Sequence, residues 1–244
     1  ALMDSTVSVH LTPLAATIAY KPWKISEDNY IELGPGRKVR ADLLAESSGS
    51  KVSLKTSETR EGYTSLAVSI TDVHIEDFLQ MSLTAPPVAG TLNADMDIVY
   101  RGTAFTGNGT LGVAGLTYDK MRVGDIEADF KAGLGLNGNT GGSMNLYLDR
   151  QKVLMARGYM LADSAALRQR AGQSSELDLT LTRFPLRIAN PFIGADMAQL
   201  SVYLNGTVNM AGTLSAPLLN GSIMCDSASV YVPMASARLD LDSA

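Results

Sequence analysis

Alternation of apolar and polar residues runs through most of this chain and constrains its fold more than any other feature. Residues 125–137 carry an apolar side chain at every even position from Ile126 to Leu136, and a polar residue or glycine at every odd one. Successive side chains of a β-strand point to opposite faces of the sheet. The pattern therefore predicts strands with one apolar and one wet face, which is typical of antiparallel sheets.

The same alternation recurs along the chain, and its apolar positions are the candidates for a binding surface. Aliphatic and Met side chains offer apolar surface without directional polar demands. If their face is open, we expect them to line a hydrophobic groove; if a second sheet covers it, they would form the dry core of a β-sandwich. The candidate groove-lining residues are Leu66, Val68, Ile70, Leu92, Ala94, Met96, Ile98, Ile126, Phe130, Leu134, Leu146, Leu177, Leu179, Leu181, Val202, Leu204, Val208 and Met210.

Glycine-rich and Asn-Gly pairs separate these segments and predict tight turns, because such turns need residues with positive φ. The Asn-Gly-Thr and Asn-Gly-Ser triplets that begin at Asn108, Asn205 and Asn220 match glycosylation acceptors, and we interpret them as turns as well. The predicted turns lie at Gly34-Pro35-Gly36, Ser48-Gly49, Glu61-Gly62, Gly107-Asn108-Gly109, Asn137-Gly138-Asn139, Asn205-Gly206 and Asn220-Gly221.

Three segments break the alternation and are candidates for short helices. In residues 72–81, Ile75, Phe78 and Leu79 have helical spacing, and Asp72 is placed to cap the first turn. Residues 185–194 are predicted to hold a short helical turn, and residues 162–171 are either a helix or a loop.

The first two breaks also reveal an internal repeat. Each follows an alternating strand and leads into a Gly-Thr strand, beginning at Gly90 and at Gly206, so the unit repeats over roughly 115 residues. On this basis we divide the chain into residues 1–85, a repeat unit at 86–184, and residues 185–244 with the start of the next repeat. A row of such units predicts one continuous, elongated domain.

Composition and motifs argue against several functions. The net charge is −5 and the 20 Lys and Arg residues are scattered, so nucleic-acid binding has no electrostatic footprint. His10 and His74 belong to no spaced ligand set, the single cysteine is Cys225, and no Gly-x-Ser-x-Gly motif is present. We interpret Asp95 and Asp97 as part of a solvated face and Trp23 as a core residue. We therefore expect no metal, no cofactor and no enzymatic activity.

The sequence holds no run of about 18 apolar residues that would form a membrane helix, and its first residues do not resemble a signal peptide. It begins without Met and ends in a predicted strand, residues 237–242. We therefore expect the chain to be a piece of a longer protein whose anchor lies outside it.

One stretch carries a family resemblance. Residues 204–223, with Gly206-Thr207, Gly212-Thr213 and Pro217, followed by Val230-Tyr-Val-Pro233, resemble the C-terminal repeat region of TamB and its AsmA-like relatives. Pro22-Trp23 and the following Tyr30-Ile31 are similar to segments of TamB-like proteins of Bacteroidetes. The pattern extends over most of the chain and is sharpest between Gly206 and Pro233.

The resemblance implies an inner-membrane-anchored protein of the periplasm whose sheet curls into an open, taco-like hydrophobic groove. It implies phospholipid transport to the outer membrane, or assistance in inserting outer-membrane β-proteins, together with an outer-membrane partner. The fold expected is therefore all-β: an elongated, mostly antiparallel, curled sheet with one or two short helices. The leading function is a groove for lipid acyl chains; the alternatives are a chaperone that pairs with incoming strands and a structural spacer without ligand.

Overall fold

A computed structural model describes residues 6–12, 15–34, 39–60, 63–79, 85–102, 104–135, 139–161, 175–193, 197–213 and 216–241. The molecule is 78% strand and 8% helical, and its strands form one large antiparallel sheet that curls but does not close on itself. The predicted fold class is thus confirmed. In the described residues the face that carries the alternating apolar side chains belongs to a single sheet, not to a closed two-sheet sandwich.

The strands follow one another across the sheet almost in chain order. From β4 to β16, each strand pairs with the next strand in sequence. At the start of the chain, β1 pairs with β4. Strand β3 pairs with β2 on one side, and on the other side it pairs with the same edge of β5 that β4 uses. The strands are β1 Val7–Val9, β2 Ala15–Ile18, β3 Lys21–Ile25, β4 Tyr30–Leu33, β5 Val39–Ser47, β6 Ser50–Arg60, β7 Tyr63–His74, β8 Val88–Arg101, β9 Ala104–Tyr118, β10 Met121–Leu134, β11 Thr140–Leu148, β12 Gln151–Met160, β13 Ser175–Pro185, β14 Gln199–Thr213, β15 Ala216–Val232 and β16 Ala237–Leu241.

The sheet crosses both of the boundaries drawn from the sequence. β7 pairs with β8 on either side of residue 85, and β13 pairs with β14 on either side of residue 184. Among the described residues, no helix is long and apolar enough to cross a membrane.

Several predicted turns are wrong. Gly107-Asn108-Gly109 lies inside β9, Asn205-Gly206 inside β14 and Asn220-Gly221 inside β15. The Ser48-Gly49 turn is confirmed. The turns predicted at Gly34-Pro35-Gly36, Glu61-Gly62 and Asn137-Gly138-Asn139, and the helix or loop at residues 162–171, fall wholly or partly outside the described residues.

Tight hairpins instead occur where the sequence carries no glycine. Asp119-Lys120 joins β9 to β10 with φ values of 47° and 64°, and Asp149-Arg150 joins β11 to β12 with 48° and 67°. Two consecutive left-handed residues define the turn that matches the twist of paired strands. Asp tolerates this conformation better than most residues do, but the residues that follow it, Lys120 and Arg150, gave no turn signal.

Short helices cap the same end of the sheet twice. Helix α1, Ile75–Leu79, follows β7; a 3₁₀ turn at Leu186–Ala189 and helix α2, Asn190–Ile193, follow β13. The two predicted helical segments are thus confirmed, although Asp72 is not a cap. It belongs to β7, where it adopts φ 51°. We call the strand ends beneath these helices the capped rim.

A line of β-bulges crosses the sheet just inside the capped rim. Extra residues interrupt the register between Ile70 and Val73 in β7, between Leu181 and Phe184 in β13, and in the pairings of β8–β9, β9–β10, β11–β12 and β14–β15. A bulge bends its strand and increases the local twist. Between β7 and β15 these bulges therefore bend the strands near the rim, although the β10–β11 and β12–β13 pairings have none.

Side chains from neighbouring strands accept hydrogen bonds from backbone N–H groups at two of these bulges. The N–H of Asp72 donates to Asn93 Oδ1 at 3.0 Å, and the N–H of Arg183, with φ 45°, donates to Asn205 Oδ1 at 2.7 Å. The same contact therefore occurs in both segments, and in it Asn93 corresponds to Asn205. Gly90 lies before Asn93, whereas Gly206 lies after Asn205. The two glycines therefore do not correspond, and the alignment predicted from the Gly-Thr pairs is shifted.

Candidate functional site

All of the candidate groove-lining residues lie on one face of the sheet, which we call the apolar face. Their side chains join across the strands into rows, because paired positions point the same way. One row crosses twelve strands, roughly 50 Å at about 4.8 Å per strand. It runs through Ile25, Ala45, Val52, Ile70, Ala94, Leu111, Ala128, Leu146, Leu154, Leu181, Gly206 and Ile223.

A second row lies next to the first, on the side away from the capped rim. It contains only apolar side chains and glycines, so the two rows form a band without a hydrogen-bonding side chain. The second row runs through Leu43, Leu54, Val68, Met96, Gly109, Phe130, Met144, Ala156, Leu179, Val208 and Gly221.

Burial differs between the capped rim and the middle of the apolar face. Val73, Val123, Leu148 and Val202 are buried at the rim, close to where the helices and bulges bring strands together. In the middle most side chains are half-buried, and Leu111 is 42% exposed. The rim is thus a small core of its own, whereas the middle of the apolar face remains partly accessible to a ligand.

Glycines make room for the large side chains of the second row. Gly109 lies opposite both Met96 and Phe130, and a Cβ built at Gly109 would lie 2.4 Å from the Asp95 carbonyl oxygen. Gly142 and Gly158, on the same face, would bring a Cβ to 2.6 Å and 2.8 Å from backbone oxygens. At these positions the close approach of neighbouring backbones excludes any side chain.

Helix α1 closes the rim near the first strands. The Phe78 ring packs against Trp23 with centroids 6.1 Å apart, and Trp23 is buried. Lys21 Nζ forms an ion pair with the Asp77 carboxylate, and the N–H of Gly90 donates to Glu76 Oε2 at 3.1 Å. These contacts tie α1 to β3 and β8.

The second cap extends from β14 across to β9 and β10. The Phe192 ring lies 4.5 Å from that of Tyr118, and the Arg187 guanidinium lies 2.7 Å from Asp149 Oδ2. Asp149 Oδ1 also accepts the Asp125 N–H at 3.0 Å and lies 3.2 Å from Arg122 Nη2. The backbone N–H of Asp125, followed by the guanidinium of Arg187, holds the pKa of Asp149 at about 2. The charged form of the Asp149 carboxylate therefore holds the second cap in place.

The opposite face is polar. Asp95 and Asp97 are exposed there, as expected of a solvated face, and a hydrogen bond with Asp129 raises the pKa of Tyr147. A depression of about 830 Å³ crosses β9 to β13 on this face and involves none of the candidate groove-lining residues. Its floor includes Gly133 and Gly141, and Lys131, Arg157 and Asp178 stand around it.

The residues that could act as metal ligands or catalytic groups are dispersed over the described structure. In the described part of the chain, no three His, Cys, Asp or Glu side chains come together as metal ligands would. His10 Nδ1 lies 2.5 Å from the Asn29 carbonyl oxygen, and His74 Nδ1 lies 3.7 Å from the carboxylate of Glu76 in α1.

The alternation also missed part of the apolar face. Leu111 and Val113 lie in β9, where glycines occupy Gly107, Gly109 and Gly112 and hide the period of two. Val52 and Leu54 lie in β6 among Ser and Thr. These residues could have been found only from their pairing with neighbouring strands, and the periodicity of a single strand carries no information on pairing.

Fold and face together define an open, single-sheet β protein with one apolar face. Comparison of the chain with protein-family models, with curated proteins and with solved structures found no match.

Proposed function

We propose that the apolar face is a groove that holds lipid acyl chains in a bacterial cell envelope and so supports phospholipid transport to the outer membrane. The observation that carries this proposal is the band of two apolar rows, which crosses strand after strand and stays partly exposed. Each acyl methylene moved from water to such a surface gains roughly 0.8 kcal/mol. The placement in the periplasm, in a protein anchored in the inner membrane, rests on the TamB-like resemblance.

The chemistry of the band suits a ligand that must move. No hydrogen-bonding side chain lies in either row, so no polar contact would fix an acyl chain at one position along the sheet. Met96 and Met144 are flexible and polarisable, which suits ligands of different shape. The opposite face is polar, which leaves the apolar face as the side on which a hydrocarbon would be sheltered.

The second candidate is a chaperone or scaffold for outer-membrane β-proteins. It would use the backbone of a strand at the edge of the sheet instead of the apolar face. An incoming strand could add to such an edge through backbone hydrogen bonds. The two functions differ in what they need, because an acyl chain requires the apolar face and an added strand requires the edge.

Binding of a fluorescent fatty acid or phospholipid to the purified chain tests the groove. Leu179→Asp places a charge in the second row, and we expect its affinity to fall at least about tenfold, because a carboxylate facing hydrocarbon is costly. Thr180→Asp changes the adjacent residue on the polar face and is the matched control, for which we expect a change within about twofold. Equal affinity of the two variants, with both folded, rejects the apolar face as the binding site.

A further inference from the structure

The depression on the polar face, which crosses β9 to β13, has a floor without side chains. Gly133 in β10 and Gly141 in β11 are paired, and both occupy positions of the polar face. Packing does not require glycine at residue 141, because a Cβ built there would have no neighbour closer than 3.6 Å and φ is not positive. Glycine inside a strand weakens the strand and often marks a place where a ligand approaches the backbone. The bare floor is therefore a candidate for contact with a ligand.

Two exposed cations stand beside this floor. Lys131 in β10 and Arg157 in β12 lie on either side of Ser143 in β11, in one row across the strands. Neither forms an ion pair with another described residue, and Asp129, on the same face of β10 as Lys131, is hydrogen-bonded to Tyr147 instead. Each pairing spans about 5 Å, so the Cα atoms of the two cations are about 10 Å apart. Both long side chains can therefore reach one phosphate group above the serine hydroxyl.

The wall formed by β13 carries hydrogen-bond acceptors. Asn209 Nδ2 donates to Asp178 Oδ1 at 2.7 Å and to Glu176 Oε1 at 3.2 Å. Asp178 lies opposite Arg157 in the register but forms no ion pair with it among the described contacts. Because a carboxylate has about four acceptor sites, both acids can also accept hydroxyl groups of a ligand. They would repel a bare anion, so the ligand that fits has an anionic end for the two cations and hydroxyl groups for β13.

Tyr159 adds an apolar surface at the edge of the floor. It pairs with Gly141, it is 41% exposed, and its hydroxyl group donates to Glu176 Oε2 at 2.9 Å. The face of an aromatic ring carries partial negative charge and attracts polarised C–H groups, such as those of a sugar ring. A sugar ring that lies on the glycine floor would therefore contact the tyrosine ring.

We propose that this depression binds a sugar phosphate. The phosphate group contacts Lys131 and Arg157, and the sugar ring lies over Gly141 beside Tyr159. Hydroxyl groups of the sugar donate to Asp178. The volume of the depression, about 830 Å³, is in the range of small-molecule sites, roughly 300–1,000 Å³. Because the site is on the polar face, the proposal does not depend on what the apolar face binds.

Ligand-detected NMR titrations of the purified chain test the site with glucose 6-phosphate, glucose and inorganic phosphate. We expect glucose 6-phosphate to bind at least about tenfold more tightly than either of the other probes, because only glucose 6-phosphate meets both the cations and the acceptors. Lys131→Gln/Arg157→Gln removes both charges at exposed positions and should lower its affinity at least about tenfold. No saturable binding of glucose 6-phosphate, or equally tight binding of inorganic phosphate, overturns the proposal.

Two glycine substitutions test the floor without changing any charge. Gly141→Val places a side chain that strands favour on the floor and should lower the affinity for glucose 6-phosphate at least about tenfold. Gly112→Val is the matched control, because Gly112 lies on the polar face of β9 outside this depression and a Cβ there also has no neighbour closer than 3.6 Å. We expect its affinity to change within about twofold. Circular dichroism verifies the fold of both variants, and equal affinities contradict the site.

A sugar phosphate can be free or part of a lipid headgroup, and vesicles distinguish the two. The probes are phosphatidylcholine vesicles with and without phosphatidylinositol, whose headgroup joins a phosphate to a ring that carries hydroxyl groups. Stronger sedimentation of the chain with phosphatidylinositol vesicles, lost in Gly141→Val, assigns the site to a lipid headgroup. Binding of glucose 6-phosphate without that difference assigns it to a soluble sugar phosphate.

Discussion

At the scale of single residues, glycines on the apolar face have two different roles. A Cβ at Gly109 would lie 2.4 Å from a backbone oxygen, whereas a Cβ at Gly107, two residues earlier on the same face, has no neighbour closer than 3.6 Å. We therefore expect Gly109→Ala to destabilise the fold by about 1–3 kcal/mol, because backbone must move. Denaturant unfolding measures the change.

Gly107→Ala is the matched control for Gly109→Ala. Its added methyl group makes ordinary contacts, so we expect an effect within about 1 kcal/mol of zero, since Ala also restricts the unfolded chain. Destabilisation of the two variants by the same amount would show that close packing at Gly109 does not limit the fold.

Asn108 and Asn205 open identical Asn-Gly-Thr triplets but have different surroundings. Asn205 accepts the N–H of the left-handed residue Arg183, whereas Asn108 lies exposed in β9. Asn205→Ala leaves that N–H without its partner and should cost about 1–2 kcal/mol, while Asn108→Ala should stay within about 0.5 kcal/mol. Thermal unfolding of the two variants checks this; the reverse order would remove Asn205 from any role in the bulge.

These same triplets explain why turn prediction failed. Asn-Gly favours positive φ wherever it occurs, but at Asn205 the side chain accepts a hydrogen bond from a bulge in the neighbouring strand, and at Gly109 the glycine makes room for Asp95 and Met96 of β8. Both needs arise from a partner strand that is distant in sequence. Local sequence therefore predicts a special backbone or a small residue without saying which neighbour requires it.

At the scale of elements, Asp149 is the residue that joins the second cap to the sheet. Its pKa is about 2, below the ordinary value for Asp of about 3.9, because the charged form is bonded to Asp125 N–H, Arg187 and Arg122. A lowered pKa contributes stability above about pH 4 that is lost as the pH falls toward about 2. Asp149→Asn should therefore cost about 1 kcal/mol at neutral pH.

Thermal unfolding measured as a function of pH checks this prediction. The difference in Tm between wild type and Asp149→Asn should be constant above about pH 4 and shrink between about pH 4 and about pH 2. Asp119→Asn, in the equivalent turn between β9 and β10 but without such bonds among the described contacts, is the control. A difference that persists unchanged at about pH 2 would contradict the role of the charged carboxylate.

The short helices could be predicted from the sequence, but their function in the fold could not. Ile75, Phe78 and Leu79 have helical spacing, and the break after β13 is plain in the sequence. Both helices lie over the same rim because β7 and β13 are separated by an even number of antiparallel pairings and so run in the same direction. The contact of Phe192 with Tyr118 joins residues that are distant in sequence, and the alternation does not reveal it.

At the scale of the whole molecule, alternation predicted an all-β sheet and which residues share its apolar face, whereas the curl of the sheet was expected only from the TamB-like resemblance. It could not decide between an open face and a closed sandwich, because both bury the same pattern. The partial exposure of Leu111 and the single sheet answer that question for the described residues.

Photocrosslinking in cells, in the longer protein that contains this chain, is the most direct test of the account. A photoreactive residue at Met96 or Leu179 probes the apolar face, and one at Asp97 or Asp178 probes the polar face of the same strands. Lipid adducts at the first pair and none at the second is the predicted result. Adducts to outer-membrane proteins instead, or no adduct at Met96 and Leu179 in a folded protein, would contradict a lipid groove.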